Sequence, residues 1–429
     1  MKLTDSEKRI LDGAEGDWKA KALDFVVRFG EAFGAERLVD VSYVHYPAEM
    51  SIYRGMVEDL LEYAAGGARV AVPTTTSTLA CDLDRHASLG CPEPLARLQA
   101  AVVPAHRSMG ILGTYTCTPQ FLGFVPPKGS FIVSVESSAI IYFNSVLGAR
   151  TNRGGFLTRY SAVTGKYPLM GYLLDENRRG THLVRVRLSP GRLREDRDYS
   201  ALGFLVGEAV GGEVPVFDRL GSPTWTSLLA LGAALATSGS VTLYHAPPHT
   251  AEAPTVEAAF RGAEPREIIE VTDRDLDAVA ERLTDLSPGD PVDFVTLGCP
   301  HYGLEQLRLL SAWFRERKAR VAEHVRFWVC TNRAVRRAAE WEGILGPIED
   351  AGAVVVADSC PVESHMRLST CREYGLPAPN VAAMATDSAK MARYVRDLIG
   401  CKTAFLSRLD CLETAVAGRV TISSGRAPR

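Results

Sequence analysis

No apolar run in this chain reaches the roughly 18–20 residues that a membrane-crossing helix requires. Neither sign of charge is in excess: 48 Lys and Arg stand against 51 Asp and Glu, a net of −3 over 429 residues, with the basic residues dispersed. A nucleic-acid surface is therefore not expected. The opening residues Met1-Lys-Leu-Thr-Asp-Ser-Glu-Lys8 lack the apolar core of a secretory signal. No expected strand runs into a G-x-G-x-x-G turn, which argues against a dinucleotide enzyme. The nine cysteines include no C-x-x-C pair, and their number is odd. A disulfide framework is thus not expected, and a reducing cytoplasm is the expected setting. What remains is 46% hydrophobic and 23% charged, the composition of an enzyme-sized globular chain with two or three domains.

The elements alternate. Thr4-Asp-Ser-Glu7 has capping-box spacing, and helical periodicity continues to Phe33. Arg37–Val44 reads as a strand, followed by a helix ending at Gly66-Gly67. Arg69–Pro73 reads as a short strand before a Thr-rich loop, and Ser138–Arg150 as a buried helix. Farther on, Val241–His245, Asp293–Leu297, Val325–Val329 and Ala353–Ala357 are expected strands with helical patterns between most of them, which predicts βαβ units and a parallel sheet. The segment from Ala246 to Pro265, with Pro247, Pro248 and Pro254, reads as a linker or crossing loop.

Three cysteines sit in turn-like loops with proline one or two residues behind them: Tyr115-Thr-Cys117-Thr-Pro119, Leu297-Gly-Cys299-Pro-His301 and Asp358-Ser-Cys360-Pro361. The last two follow expected strands, and the strand ends of a parallel sheet are where such folds place ligands. Three thiolates converging on a metal with a position left open would suit Lewis-acid iron chemistry. Cysteine is also a common core residue, and the residues alone leave both readings open. Cys330 follows a strand but lacks the proline. Cys81, Cys91, Cys371, Cys401 and Cys411 read as core.

A resemblance is carried by Glu136-Ser-Ser-Ala, Asn144-Ser-Val-Leu-Gly-Ala-Arg-Thr-Asn-Arg153, Asp175-Glu-Asn-Arg178, Gly298-Cys-Pro-His301 and Ser388-Ala-Lys390, in that order. The chain resembles the large-subunit catalytic core of the aconitase X family over most of its length. The resemblance implies an α/β, aconitase-like fold: several lobes with parallel sheets around a central metal-site cleft. Approximate lobes are expected at 1–66, 67–212 and 213–429. It implies Cys117, Cys299 and Cys360 as ligands of an iron–sulfur cluster ([4Fe-4S] or [2Fe-2S]) or of a single iron. The implied activity is that of a hydro-lyase dehydrating a small hydroxy acid such as cis-3-hydroxy-L-proline or mevalonate 5-phosphate. Alternatives are an aconitase-like isomerase, a non-catalytic iron-binding protein and a structural zinc site.

Catalytic roles are expected for Ser137, Ser138, His301 and Lys390, and substrate binding for Glu136, Asn144, Ser145, Arg150, Thr151, Asn152 and Arg178. The guanidinium forks, Arg153 included, suit a carboxylate or phosphate. Lys390 adds positive potential at a helix start. An equally simple reading pairs Arg178 with Asp175 or Glu176, makes Ser137 or Ser138 a cap, and has His301 orient the cysteine behind it. His45 follows a strand and reads either as lining the cleft or as a satisfied structural histidine. Thr74-Thr-Thr-Ser-Thr78, Tyr115, Gln120 and Phe131–Val135 depart from the family's pattern and imply an altered substrate. No swivel domain is expected in this chain, so a separate small subunit is expected to complete a heterodimer and supply a base.

Overall fold

The structure, a computed structural model, describes residues 1–47 and 54–423. Thr4 begins the first helix, Asp5–Leu11, through a reciprocal capping box with Glu7. The chain then turns at Gly13 and Gly16 (φ +83° and +97°) before Asp17–Ala32, so the expected single helical stretch is two helices.

The first sheet is made of short strands. Val44–Tyr46 (β2) lies between Thr74–Thr76 (β3) and Val133–Ser134 (β4), all parallel. Leu38–Asp40 (β1) pairs separately and antiparallel with Lys166–Pro168 (β5). The strand expected over 37–44 is thus split between two sheets. The strand expected at Arg69–Pro73 is displaced to the threonines that follow it. Val70 and Ala71 give their N–H groups to Met109 and Ala162 instead of to a ladder. The β-branched threonines are fully buried and better suited to a pleat.

The second sheet is parallel, with His182–Arg187 (β6) between Pro215–Phe217 (β7) and Glu267–Thr272 (β8). Helices Asp196–Val210 and Trp225–Gly239 pack against it. They touch through glycine: a Cβ on Gly203 would lie 2.2 Å from the Leu231 carbonyl oxygen. Val241–His245 forms no strand and contributes one bridge, Val216 to His245.

The third sheet is five-stranded and all parallel. Phe294–Leu297 (β9), Arg326–Thr331 (β10), Ala353–Ala357 (β11), Ala383–Thr386 (β12) and Lys402–Phe405 (β13) run in the order β11-β10-β9-β12-β13. The order reverses between β9 and β12, and the crevice beyond such a switch point is where open α/β sheets bind ligands. Cys330 lies inside β10, buried, with Thr296 as its neighbour, and not in a loop beyond the strand.

The lobes differ from those expected. β2 and β3 pair across residue 66, and β6 and β7 pair across residue 212, so neither position is a boundary. The sheets instead occupy residues 38–168, 182–272 and 294–405. Among the described residues, no helix is long and apolar enough to cross a membrane.

Candidate active site

The three cysteine loops meet at the strand ends. The Cys117 loop leaves the first sheet where the Thr116 N–H bonds the Thr76 carbonyl. Cys299 follows β9 through Gly298 (φ +91°), where a Cβ would collide with the Cys330 carbonyl at 2.2 Å. Cys360 follows β11 through Asp358, whose carboxylate accepts the Arg333 N–H at 2.8 Å.

His301 laces the loops together. Its backbone N–H lies 3.2 Å from Cys117 Sγ, its Nδ1 3.1 Å from Thr116 Oγ1, and its Nε2 3.2 Å from the Ser359 carbonyl. Burial lowers the imidazole to about 4, so it is neutral near pH 7. A carbonyl only accepts, so Nε2–H donates to Ser359 and Nδ1 accepts from Thr116. Both ring nitrogens are thereby used. These are the contacts of a histidine that orients its neighbouring loops.

Burial raises all three thiols. Cys299 reaches about 11 against the pull of Lys390 and Ser388, and Cys360 feels Cys299 and Cys117 among its neighbours. All nine cysteines are free. Among the described residues, no three His, Cys, Asp or Glu side chains converge closely enough to hold a single metal ion.

Beside the cysteines, Lys390 joins Glu136, Ser137 and Ser138 across some 250 residues of sequence. Its Nζ donates to Glu136 Oε1 at 3.0 Å, Ser137 Oγ at 2.9 Å and Ser138 Oγ at 3.1 Å. Burial opposes both charges but is outweighed: Glu136 is held down at about 2 by Lys390, and Lys390 is raised chiefly by Glu136. Glu136, not a serine, caps helix Ser137–Ser145. Lys390 comes from the short helix after β12, capped by Ser388. This places it across the switch point from Cys299.

The remaining expected binding residues form a buried framework behind this group. Asn144 donates to the carbonyls of Thr151 and Thr242 and accepts from Thr151 N–H. Ser145 Oγ accepts the Tyr244 N–H, Thr151 Oγ1 accepts that of Ser134, and Asn152 holds Met170 and Tyr172. Arg178 is wholly buried. It pairs with Glu252 at 2.7 Å, not with Asp175 or Glu176, and donates to Asn144 and to the Tyr172 and Ala149 carbonyls. Arg150 binds Asp175 and the Leu173 carbonyl, and Arg153 is exposed. A fully buried guanidinium must spend its donors on protein, so Arg178 is structural and not a substrate clamp.

Two groups near the cleft went unread in the sequence. Glu363, three residues past Cys360, is raised by burial to about 7 against the pull of Arg367 at 3.3 Å. Asp387 accepts the Tyr302 O–H at 2.6 Å and lies 3.9 Å from Arg408. With Cys299, His301, Ser200 and Ser388 it lines a cavity of about 20 Å³. Asp387 stands beside the Ser388-Ala-Lys390 motif, the one signal that could have drawn attention to it.

Cysteine-bearing loops and a buried lysine thus meet at one sheet switch point, the place where an open α/β enzyme holds its ligand. The chain matches family models for the aconitase X first domain (residues 1–176), second domain (180–281) and third domain (292–417), and it belongs to the aconitase X family. It is 36% identical over 404 residues to the phosphomevalonate dehydratase large subunit of Methanothermobacter thermautotrophicus, covering 93% of this chain and 95% of that one. It is 34% identical over 422 residues to the cis-3-hydroxy-L-proline dehydratase of Pseudomonas aeruginosa, covering 96% of this chain and 70% of that one. A crystal structure of Thermococcus kodakaraensis aconitase X in its holo form superposes with a TM-score of 0.81 at 32% identity, covering 95% of this chain and 98% of that one. The resemblance read from the sequence, its fold and its dehydratase class are thereby borne out.

Proposed function

We propose that this chain is the catalytic large subunit of an iron-dependent dehydratase acting on a small hydroxy acid, with a cluster held by Cys117, Cys299 and Cys360. The observation that carries this reading is the lacing of all three cysteine loops by His301 beside the Lys390–Glu136 pair. The donor set fits an iron centre. Three thiols and a cation occupy one crevice, and the buried Ser359 hydroxyl and Gln120 amide have no partner among the described residues. A structural zinc site fits poorly, because the three thiols come from three separate loops beside a buried cation. When bound, iron with an open position supplies Lewis acidity toward a carboxylate and a leaving hydroxyl.

The chain's own residues set the rest. The Lys390 ammonium is kept charged by Glu136 and spends its three donors on Glu136, Ser137 and Ser138, so it acts on a substrate through the hydroxyls it holds. Ser137 accepts from Lys390 and donates to Glu136. Ser138 accepts from Lys390, and its own proton is available to a substrate oxygen. Glu136, held near 2, is too acidic to remove a proton from carbon, and a charged lysine cannot activate a serine. Glu363, raised to about 7, is one candidate base, and a partner is the other.

The named "large subunit" relatives imply such a partner, a separate small subunit. We assign its docking face to a groove of about 600 Å³ lined by Phe121, Val125, Trp225, Leu304 and Val335. Trp225 is 64% exposed there. Thr226 and Gln306 line both this groove and the cavity at Cys299, so the groove is continuous with the site. Nine free cysteines suit a reducing, cytoplasmic setting.

The test is anaerobic assay of cis-3-hydroxy-L-proline, mevalonate 5-phosphate and related hydroxy acids. The chain is used alone and with a small chain similar to the part of the Pseudomonas enzyme that it does not cover. Loss of water from a substrate only with both chains is expected. Full activity of this chain alone would refute the partner, and an isomeric hydroxy acid as the sole product would favour the isomerase reading.

A further inference from the structure

The parallel register of the first sheet stacks Thr75, His45 and Ser134 in one row, His45 pairing with Thr75 on one side and Ser134 on the other. Register partners in a parallel pair face the same side of the sheet. The row lies at the strand ends from which the Cys117 loop and Glu136 depart, Glu136 being two residues beyond Ser134. All three side chains are buried without exposure.

Proton accounting fixes the state of His45. The Tyr43 hydroxyl meets Thr75 Oγ1, its one hydrogen-bond partner among the described residues. A buried phenol needs an acceptor, so Tyr43 donates to Thr75. The single Thr75 proton then goes to His45 Nδ1, 2.9 Å away. Burial lowers the imidazole to about 4, so it is neutral and carries its proton on Nε2.

That Nε2–H has no partner among the described residues, and neither does Ser134 Oγ. The Thr116 backbone lies against the ring and Glu136 is near enough to act on its charge, yet neither takes a well-formed bond from Nε2. His301 differs, since both its nitrogens are committed. His106 also has an unpaired Nε2, but only burial acts on it and no charged group stands near.

We propose that His45 Nε2–H, with Ser134 Oγ beside it, forms the floor of the substrate pocket and binds an oxygen of the hydroxy acid, fixing which end of the substrate faces Lys390. His45 is thereby a specificity-determining residue. The assignment rests on the dehydratase reading above.

The experiment compares wild type, His45→Phe, His45→Gln and Ser134→Ala, each with the small subunit, together with iron and sulfide content. Phenylalanine fills the space without a donor, and glutamine returns an N–H near the position of Nε2. His45→Phe is expected to raise KM about 10- to 100-fold with kcat changed far less, as loss of one hydrogen bond to a charged ligand predicts. His45→Gln should restore most of it, with iron and sulfide unchanged throughout. In ¹⁵N-histidine-labelled wild type, the Nε2–H signal of His45 should move on adding the hydroxy acid. This readout stands even if the phenylalanine variant fails to fold.

An active wild type whose His45→Phe variant keeps its KM, or whose Nε2 signal stays fixed, would overturn this assignment alone and leave His45 structural. A wild-type complex that dehydrates no hydroxy acid would overturn the dehydratase reading and this assignment together.

Discussion

Replacing Lys390 by methionine keeps most of the side chain's carbon volume but removes the cation from a buried cluster. Glu136 would then sit buried beside two serines with nothing to balance its charge. Its displacement from an ordinary value of 4.5 to about 2 corresponds to roughly 3 kcal/mol of stabilisation. Breaking one partner of a buried pair typically costs about 3–5 kcal/mol. The two figures agree, so Lys390→Met should lose about 3–5 kcal/mol in urea unfolding followed by circular dichroism. The double variant Lys390→Met with Glu136→Gln removes the stranded charge and should recover most of that loss, to within about 1–2 kcal/mol of wild type. Neither variant should dehydrate substrate, because the cation that orients the Ser137 and Ser138 hydroxyls is gone from both. A single variant costing less than about 1 kcal/mol, or a double variant no more stable than the single, would refute the reasoning.

Other consequences follow from the same geometry. His301→Ala should leave all three cysteines in place yet lower iron and sulfide per chain severalfold, because the tie between their loops is cut; metal analysis after anaerobic purification checks it. Arg178→Met should destabilise by about 3–5 kcal/mol by stranding Glu252, while the KM of correctly folded protein stays within about twofold of wild type; denaturation and steady-state kinetics together separate these effects. The folded pKa of Glu136 lies below its unfolded one. Its stabilisation is therefore complete above about pH 4.5 and lost as pH falls from there through about 2. In Glu136→Gln this part of the pH dependence of urea unfolding should disappear.

Much of the site was legible because its loops are unusual locally. Gly, Thr, Ser and Pro around Cys117, Cys299 and Cys360 mark turns, whereas Cys330 lies inside β10 and Cys411 inside the last helix, Arg408–Ala417. β9, β10 and β11 were legible as continuous apolar runs, the pattern of strands buried on both faces. β12 and β13 were not, since Ala383-Met-Ala-Thr386 and Lys402–Phe405 are four residues each and lack such a run. Without them the switch point between β9 and β12 is invisible, and so is the reason Cys299 and Lys390 share a crevice. The polar motif from Asn144 to Arg153 read as an anion clamp because side-chain chemistry alone cannot tell a guanidinium facing substrate from one bracing a loop. Burial decides that, and for Arg178 it decides for the brace. The Lys390–Glu136 pair joins residues 254 apart, beyond the reach of any spacing argument. The unpaired nitrogen of His45 depends on three-way strand register and a proton count, neither of which a linear pattern contains.

The central claim is that Cys117, Cys299 and Cys360 hold one iron centre. Its most direct test is iron, zinc and acid-labile sulfide per chain after anaerobic purification, on wild type and on Cys117→Ser, Cys299→Ser and Cys360→Ser, with Cys330→Ser as control. The account predicts iron and sulfide in wild type and in the control, and their loss in each of the other three. Zinc in their place, or iron retained when any one of the three is replaced, would contradict it.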